Sequence, residues 1–196
     1  MFNRRLGSSL AGAAGLVAAV AMTAPAQADT TCAASTTCPT TVTFTVTAEG
    51  GLSITVPGPP AVDLGSGNSG GQISGHLGSV TVQDQRAALN ATWVASVVAA
   101  SGGFTTGGST GAETIPNTAV LYWSGPATAT SNTGGTFVPG QLTAAAAETL
   151  SATRTAFSKT TGSGDNFATW NPTLVINVPD AAVAGTYTGT VNHSVA

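Results

Sequence analysis

Few side chains in this sequence are of a type that makes or breaks bonds. The chain has 196 residues, with eight Asp and Glu, five Lys and Arg, two His and two Cys. His76 and His193 are the only imidazoles, and Cys32 and Cys38 the only thiols. A zinc site asks for about four nitrogen, sulfur or oxygen ligands, so this set is a poor one and no metal is expected. The two cysteines have five residues between them, and in an exported chain a disulfide closing a small ring is their expected fate. Gly67-Asn68-Ser69-Gly70-Gly71 fits the Gly-x-Ser-x-Gly pattern. A hydrolase serine of that kind sits on a tight turn between an apolar strand and a helix. Here both flanks are Gly and Ser and no histidine precedes Ser69, so the segment reads as loop. The carboxylates are scattered, with no pair marked out for glycoside hydrolysis. No catalytic residue and no cofactor is expected.

Recognition chemistry is better represented. An exposed indole stacks on sugar rings, whereas one in an apolar strand fills a core. Trp93 and Trp123 have apolar neighbours and read as core, while Trp170, between a Gly-rich stretch and Asn171-Pro172, suits either role. Asp84 and Arg86 stand two apart on an expected strand and so share a face. They form either a structural clamp or part of a recognition patch.

The elements that position these groups follow from composition and period. Charged residues are only 7 % of the chain against 42 % hydrophobic, with 25 Gly and 10 Pro. Disorder is disfavoured by the apolar content, and the frequent Gly and Pro suit many short strands joined by turns. The solvent face must be built from Thr, Ser, Asn and Gly, and Thr favours the pleated strand. Arg4-Arg5, the apolar run over 10–22 and Ala26-Gln27-Ala28 read as a signal peptide over 1–28, cut between Ala28 and Asp29. The run is too short to span a bilayer. Without a hydrophobic pair soon after Arg5, general secretion is expected rather than the twin-arginine route. No anchor is expected in the mature chain, so any attachment is non-covalent. From residue 29 onward the cations are Arg86, Arg154 and Lys159, three against eight carboxylates for a net of −5. A chain so poor in cations does not neutralise a polyphosphate, which excludes nucleic acid as a specific partner.

Strict alternation over 41–47, with Val42, Phe44 and Val46 on one side and four threonines on the other, predicts a half-buried strand. Leu52, Ile54 and Val56 predict the next, and 65–75 a Gly/Ser loop. Further strands are expected at Val80 and Val82, over 91–98 as a central strand, and over 118–123. The run 148–159 is expected to form one strand, followed by 173–178 and 186–195. Ala144 to Ala147 is expected to form at most one helical turn.

Two stretches resemble the halves of a WxL domain. The first is Val80-Thr81-Val82-Gln83-Asp84-Gln85-Arg86 followed by Trp93-Val94-Ala95, similar to an Asp-x-Arg strand leading into a Trp-x-Leu strand. The second is Val178-Pro179-Asp180-Ala181-Ala182-Val183-Ala184-Gly185-Thr186-Tyr187, similar to the Val-Pro turn and Ala-Gly-x-Tyr step before a second Trp-x-Leu. The resemblance covers 41–196. It implies a β-rich surface module of Gram-positive bacteria that attaches non-covalently to the cell wall. Ala95 stands at the first leucine position, His193 at the second tryptophan position and Val195 at the second leucine position. A histidine there is smaller and polar, which implies a weaker wall contact, and one that changes near the ordinary histidine pKa of ~6.5 if the ring touches the ligand.

The expected organisation is a signal peptide (1–28), an N-terminal segment with the Cys32–Cys38 bridge (29–40), and a WxL-like all-β domain (41–196). That domain is expected to be an antiparallel β-sandwich of about eight short strands. The expected function is a secreted, non-catalytic, envelope-associated binding or structural protein. Its expected partner is peptidoglycan or another wall polymer, touched by Trp170 and His193, with Trp93, Asp84 and Arg86 as further contact residues. The alternative is a subunit of an extracellular assembly or an adhesin, pairing with a surface protein through β-strand edges.

Overall fold

Short β-branched and aromatic runs, interrupted by Gly and Pro every few residues, give strands in place of helices. The computed structural model describes residues 31–108, 110–131 and 134–196. The expected signal peptide, with Ala28 and Asp29, lies outside the described residues. In chain order the strands are β1 (Leu52–Thr55), β2 (Gln72–His76), β3 (Val80–Asp84), β4 (Trp93–Ala99), β5 (Phe104–Thr105), β6 (Thr114–Ile115) and β7 (Val120–Trp123). They continue as β8 (Ala127–Thr130), β9 (Phe137–Pro139), β10 (Glu148–Thr149), β11 (Arg154–Lys159), β12 (Asn166–Trp170), β13 (Thr173–Asn177) and β14 (Val191–Val195).

Three four-stranded sheets run β1-β3-β12-β8, β10-β7-β13-β2 and β14-β4-β11-β9, and β5-β6 forms a small hairpin. Every pairing is antiparallel. The fold is therefore all-β and sandwich-like, with fourteen strands among the described residues in place of the eight or so expected. All three large sheets feed one core. Val80 and Val82, Trp93, Ala95 and Val97, Val120 and Tyr122, Phe157, Trp170 and Leu174 are each at most 2 % exposed. As expected, β4 is central, paired on both sides and buried at every second residue from Trp93. Ala144–Ala146 forms a single 3-10 turn, also as expected.

The chain divides into two units, Met1–Phe44 and Thr45–Ala196. In the first, Cys32 and Cys38 form the expected disulfide with Cα atoms 5.6 Å apart. The short ring it closes holds a turn in which Thr36 donates from both N–H and Oγ1 to the Ala33 carbonyl.

Several expected elements differ. Residues 41–47 form no strand, and Val42, Phe44 and Val46 are 77 %, 85 % and 76 % exposed. Alternation is only half of a strand, because the ladder needs a neighbour, and residues 40–49 make no hydrogen bond to another described residue. The expected loop over 65–75 gives up its end to β2, where Ile73 pairs with Ile176 on β13. The expected strand over 148–159 is broken after Thr149, where Leu150 turns into the core at 0 % exposure before β11 begins. The last strand begins at Val191 rather than at 186, and upstream only a single Thr188–Thr105 bridge forms. Strand β12 arises where no strand was expected.

Candidate functional site

The burial alternation of β3 carries Val80, Val82 and Asp84 inward together, leaving Asp84 only 1 % exposed. A buried carboxylate is costly unless paired and hydrogen-bonded. Arg86 supplies the pair. It lies just past the strand end, where it was expected on the strand, and its side chain folds back in a two-pronged contact. Nε donates to Asp84 Oδ1 at 2.8 Å and Nη2 to Oδ2 at 2.9 Å, and the Arg86 backbone N–H adds a third bond at 3.2 Å. Nη2 also donates to the Thr92 carbonyl at 2.8 Å.

Asn166 completes the arrangement. It stands opposite Asp84 in the β12–β3 register and is 4 % exposed. Its Nδ2 donates to Asp84 Oδ2 at 3.2 Å and to the Gly164 carbonyl at 3.1 Å, and its Oδ1 accepts from Trp93 Nε1 at 2.8 Å. The hydrogen bonds from Arg86 are the main reason that the Asp84 carboxyl is held below its ordinary pKa. Three residues singled out from the sequence, Asp84, Arg86 and Trp93, thus meet in one network that ties β3, β4 and β12. Its chemistry is internal. The carboxylate accepts from the guanidinium and the amide, and the amide oxygen satisfies the indole N–H, which if unpaired would cost about 1–3 kcal/mol. The arrangement clamps the buried Asp84 carboxylate, while the Arg86 side chain stays 37 % exposed.

Trp170 and His193 meet elsewhere, through Tyr122. Trp170 is 0 % exposed, stacks on Phe157 with centroids 4.9 Å apart, and donates from Nε1 to Tyr122 Oη at 3.1 Å. The His193 ring meets Tyr122 edge-on at 6.0 Å. Burial raises the Tyr122 pKa and pushes that of His193 down to about 4. His193 Nε2 is buried with no hydrogen-bond partner among the described residues. With Trp93 and Trp170 both in the core, neither offers an indole face to a sugar. Trp123, expected in the core, is instead partly exposed.

The serine of the Gly-x-Ser-x-Gly segment lies in a turn closed by Gly71 N–H on the Asn68 carbonyl, and it makes no hydrogen bond to a histidine among the described residues. His76 Nδ1 is instead 3.1 Å from Thr173 Oγ1. Among the described residues no three of His, Cys, Asp and Glu cluster closely enough to hold a metal ion. One feature gave no sequence signal: Lys159, 1 % exposed, donates to the carbonyls of Ala91 and Thr161 at 3.2 and 2.7 Å and lies 5.8 Å from the Phe137 ring centroid.

A broad concavity lies within 45–196. It is a groove of about 1410 Å³ floored by Ile73 on β2 and by Leu174 and Ile176 on β13. Val183 lines it ahead of the last strand, and Val191 and His193 line it on β14, with most of 56–69 along the rim. Small-molecule pockets are typically about 300–1,000 Å³, so this space exceeds that of a single drug-sized ligand. Asp63, Tyr187 and His193 are its only ionisable lining groups. No helix among the described residues is long and apolar enough to cross a membrane, a statement that does not bear on strands. No family model, curated protein or solved structure matches the chain.

Proposed function

We propose that this chain is an exported, non-catalytic structural protein that works by associating with another protein through β-strand pairing. One observation carries the proposal. Residues 41–47 have a strand's alternation, lie outside every sheet, and leave Val42, Phe44 and Val46 more than three-quarters exposed. A run of alternating apolar residues with unpaired backbone is a ready template for pairing with a further chain. Supporting context comes from the Cys32–Cys38 disulfide, which suits an oxidising space outside the cytoplasm. The leader-like 1–28 and the resemblance to WxL surface modules agree with it. Direct recognition of a wall polymer is the weaker alternative, because Trp93 and Trp170 are buried.

Analytical ultracentrifugation of the secreted protein, with and without purified wall sacculi, separates the two. Concentration-dependent multimers in the absence of sacculi are the expected result. A protein that stays monomeric at all concentrations yet co-sediments with sacculi would overturn the proposal in favour of the polymer.

A further inference from the structure

We infer that the partner is a second copy of this chain, whose residues 41–47 lie in the apolar groove beside β14. The inference rests on the strand-pairing function proposed above and names the site and the occupant.

The donor segment Thr41-Val42-Thr43-Phe44-Thr45-Val46-Thr47 is uncharged and seven residues long, about 23 Å when extended. Its side chains would alternate strictly, so pairing along an edge turns Val42, Phe44 and Val46 to one side and the threonines to the other. The acceptor has matching features. Among the described residues β14 pairs only with β4, and β2 only with β13, so two outer strands border the groove, with β1 packed near β14 but not hydrogen-bonded to it. Ala196 exchanges both of its backbone bonds with Val94, and Ala100 donates to the Thr190 carbonyl. By the antiparallel alternation, the even-numbered residues of β14 therefore bond toward β4, and the N–H and C=O of Val191 and His193 face away from it. They have no strand partner among the described residues. These same two residues line the groove.

The sizes agree as well. The groove, at about 1410 Å³, exceeds the range of small-ligand pockets, and its floor of Ile73, Leu174 and Ile176 is apolar, as is the exposed row of the donor. Charge sets no barrier, since the donor has none and Asp63 is the only carboxylate at the groove. Donor and acceptor are different surfaces of one chain, so each copy can give one strand and receive one. Such a contact is heterologous and runs head to tail.

The test uses the full secreted chain with Phe44→p-benzoylphenylalanine, prepared as a mixture of ordinary and nitrogen-15-labelled copies and irradiated. The expected result is a crosslink between light and heavy copies that maps to the β13, Val183 or β14 wall of the groove. Phe44→Asp and Val183→Asp, both at exposed positions, should each weaken association by roughly tenfold or more while leaving the melting temperature of the monomer unchanged. Multimers whose crosslinks map away from the groove would overturn this inference and leave the strand-pairing function standing. So would crosslinks confined to single-isotope chains in a multimer, or a native mass showing a small apolar molecule retained in the groove of each copy. A chain that is monomeric at every concentration overturns both.

Discussion

His193 has a proton affinity set by desolvation alone, with its Nε2 unpartnered among the described residues and its ring against Tyr122. Its pKa falls from 6.5 to about 4 on folding. The unfolded chain therefore binds the proton first, and stability declines as pH falls through the window between those two values. Above 6.5 both states are neutral and the group contributes nothing. The full penalty, at most about 3 kcal/mol, is reached below 4. Urea unfolding at a series of pH values is expected to show this decline in the wild type and to lose most of it in His193→Gln. Equal slopes in the two proteins would remove His193 as the cause. Asp84 acts in a separate range. Its lowered pKa makes its stabilisation complete above 3.8, to be lost only as pH falls below that value. The same burial places the charging of the ring below the ordinary histidine value of 6.5. At this scale the sequence was partly legible. Asp84 and Arg86 announced themselves because charges are so rare here, and the clamp was one of the two roles read for them. Asn166 did not, since what makes it important is its register opposite Asp84, and no local pattern encodes a partner 82 residues away. Trp170 sits beside Gly and Pro in the sequence, which masked its place in the core.

Elements were legible where period and partner coincide. The strands at Val80 and at Thr173 alternate, the one at Trp93 is apolar on both faces, and each is flanked on both sides by others, so the local pattern placed them correctly. The run over 41–47 has the clearest alternation in the chain and forms no strand, because pairing is a property of two segments. The converse error is β12, whose Asn166-Phe167-Ala168-Thr169-Trp170 looks unremarkable but lies between β3 and β8. Close contact between elements sets a further constraint that period does not reveal. The register of β11 against β4 shifts between Thr155 and Phe157, and on the other side of β11 Gly140 follows β9 and donates to the Ala156 carbonyl at 2.9 Å. A Cβ at Gly140 would collide with the Thr155 carbonyl oxygen, which is backbone and has no side-chain freedom to give way. Gly140→Ala is therefore expected to cost about 2–3 kcal/mol. Gly51→Ala, where nothing lies within 4 Å of the added carbon, should stay within about 0.5 kcal/mol of wild type. Thermal unfolding of the two variants checks this, and equal melting temperatures would mean that β9 and β11 can separate without cost.

Taken whole, the fold is held by non-local pairing. Strand β3 finds β12, β2 finds β13, and β4 finds β14, and all three large sheets meet in one core. A fragment covering 45–160 keeps eleven of the strands but loses inner strands of two sheets and the outer strand of the third. It is expected to unfold without a cooperative transition and to be digested rapidly by a non-specific protease. A sharp transition in that fragment would show that one sheet stands without the C-terminal strands. The pairing of Asp84 with Asn166 also imposes a timetable. At ~5–20 residues per second of synthesis, the 82 residues between them take roughly 4–16 s to appear. For that interval Arg86 has a carboxylate to bind but Trp93 has no amide to receive its N–H, and the valines of β3 have only β1 beside them. The nascent chain therefore closes late, and it spends most of its birth as an open polymer whose apolar stripes must be kept apart by something other than its own fold.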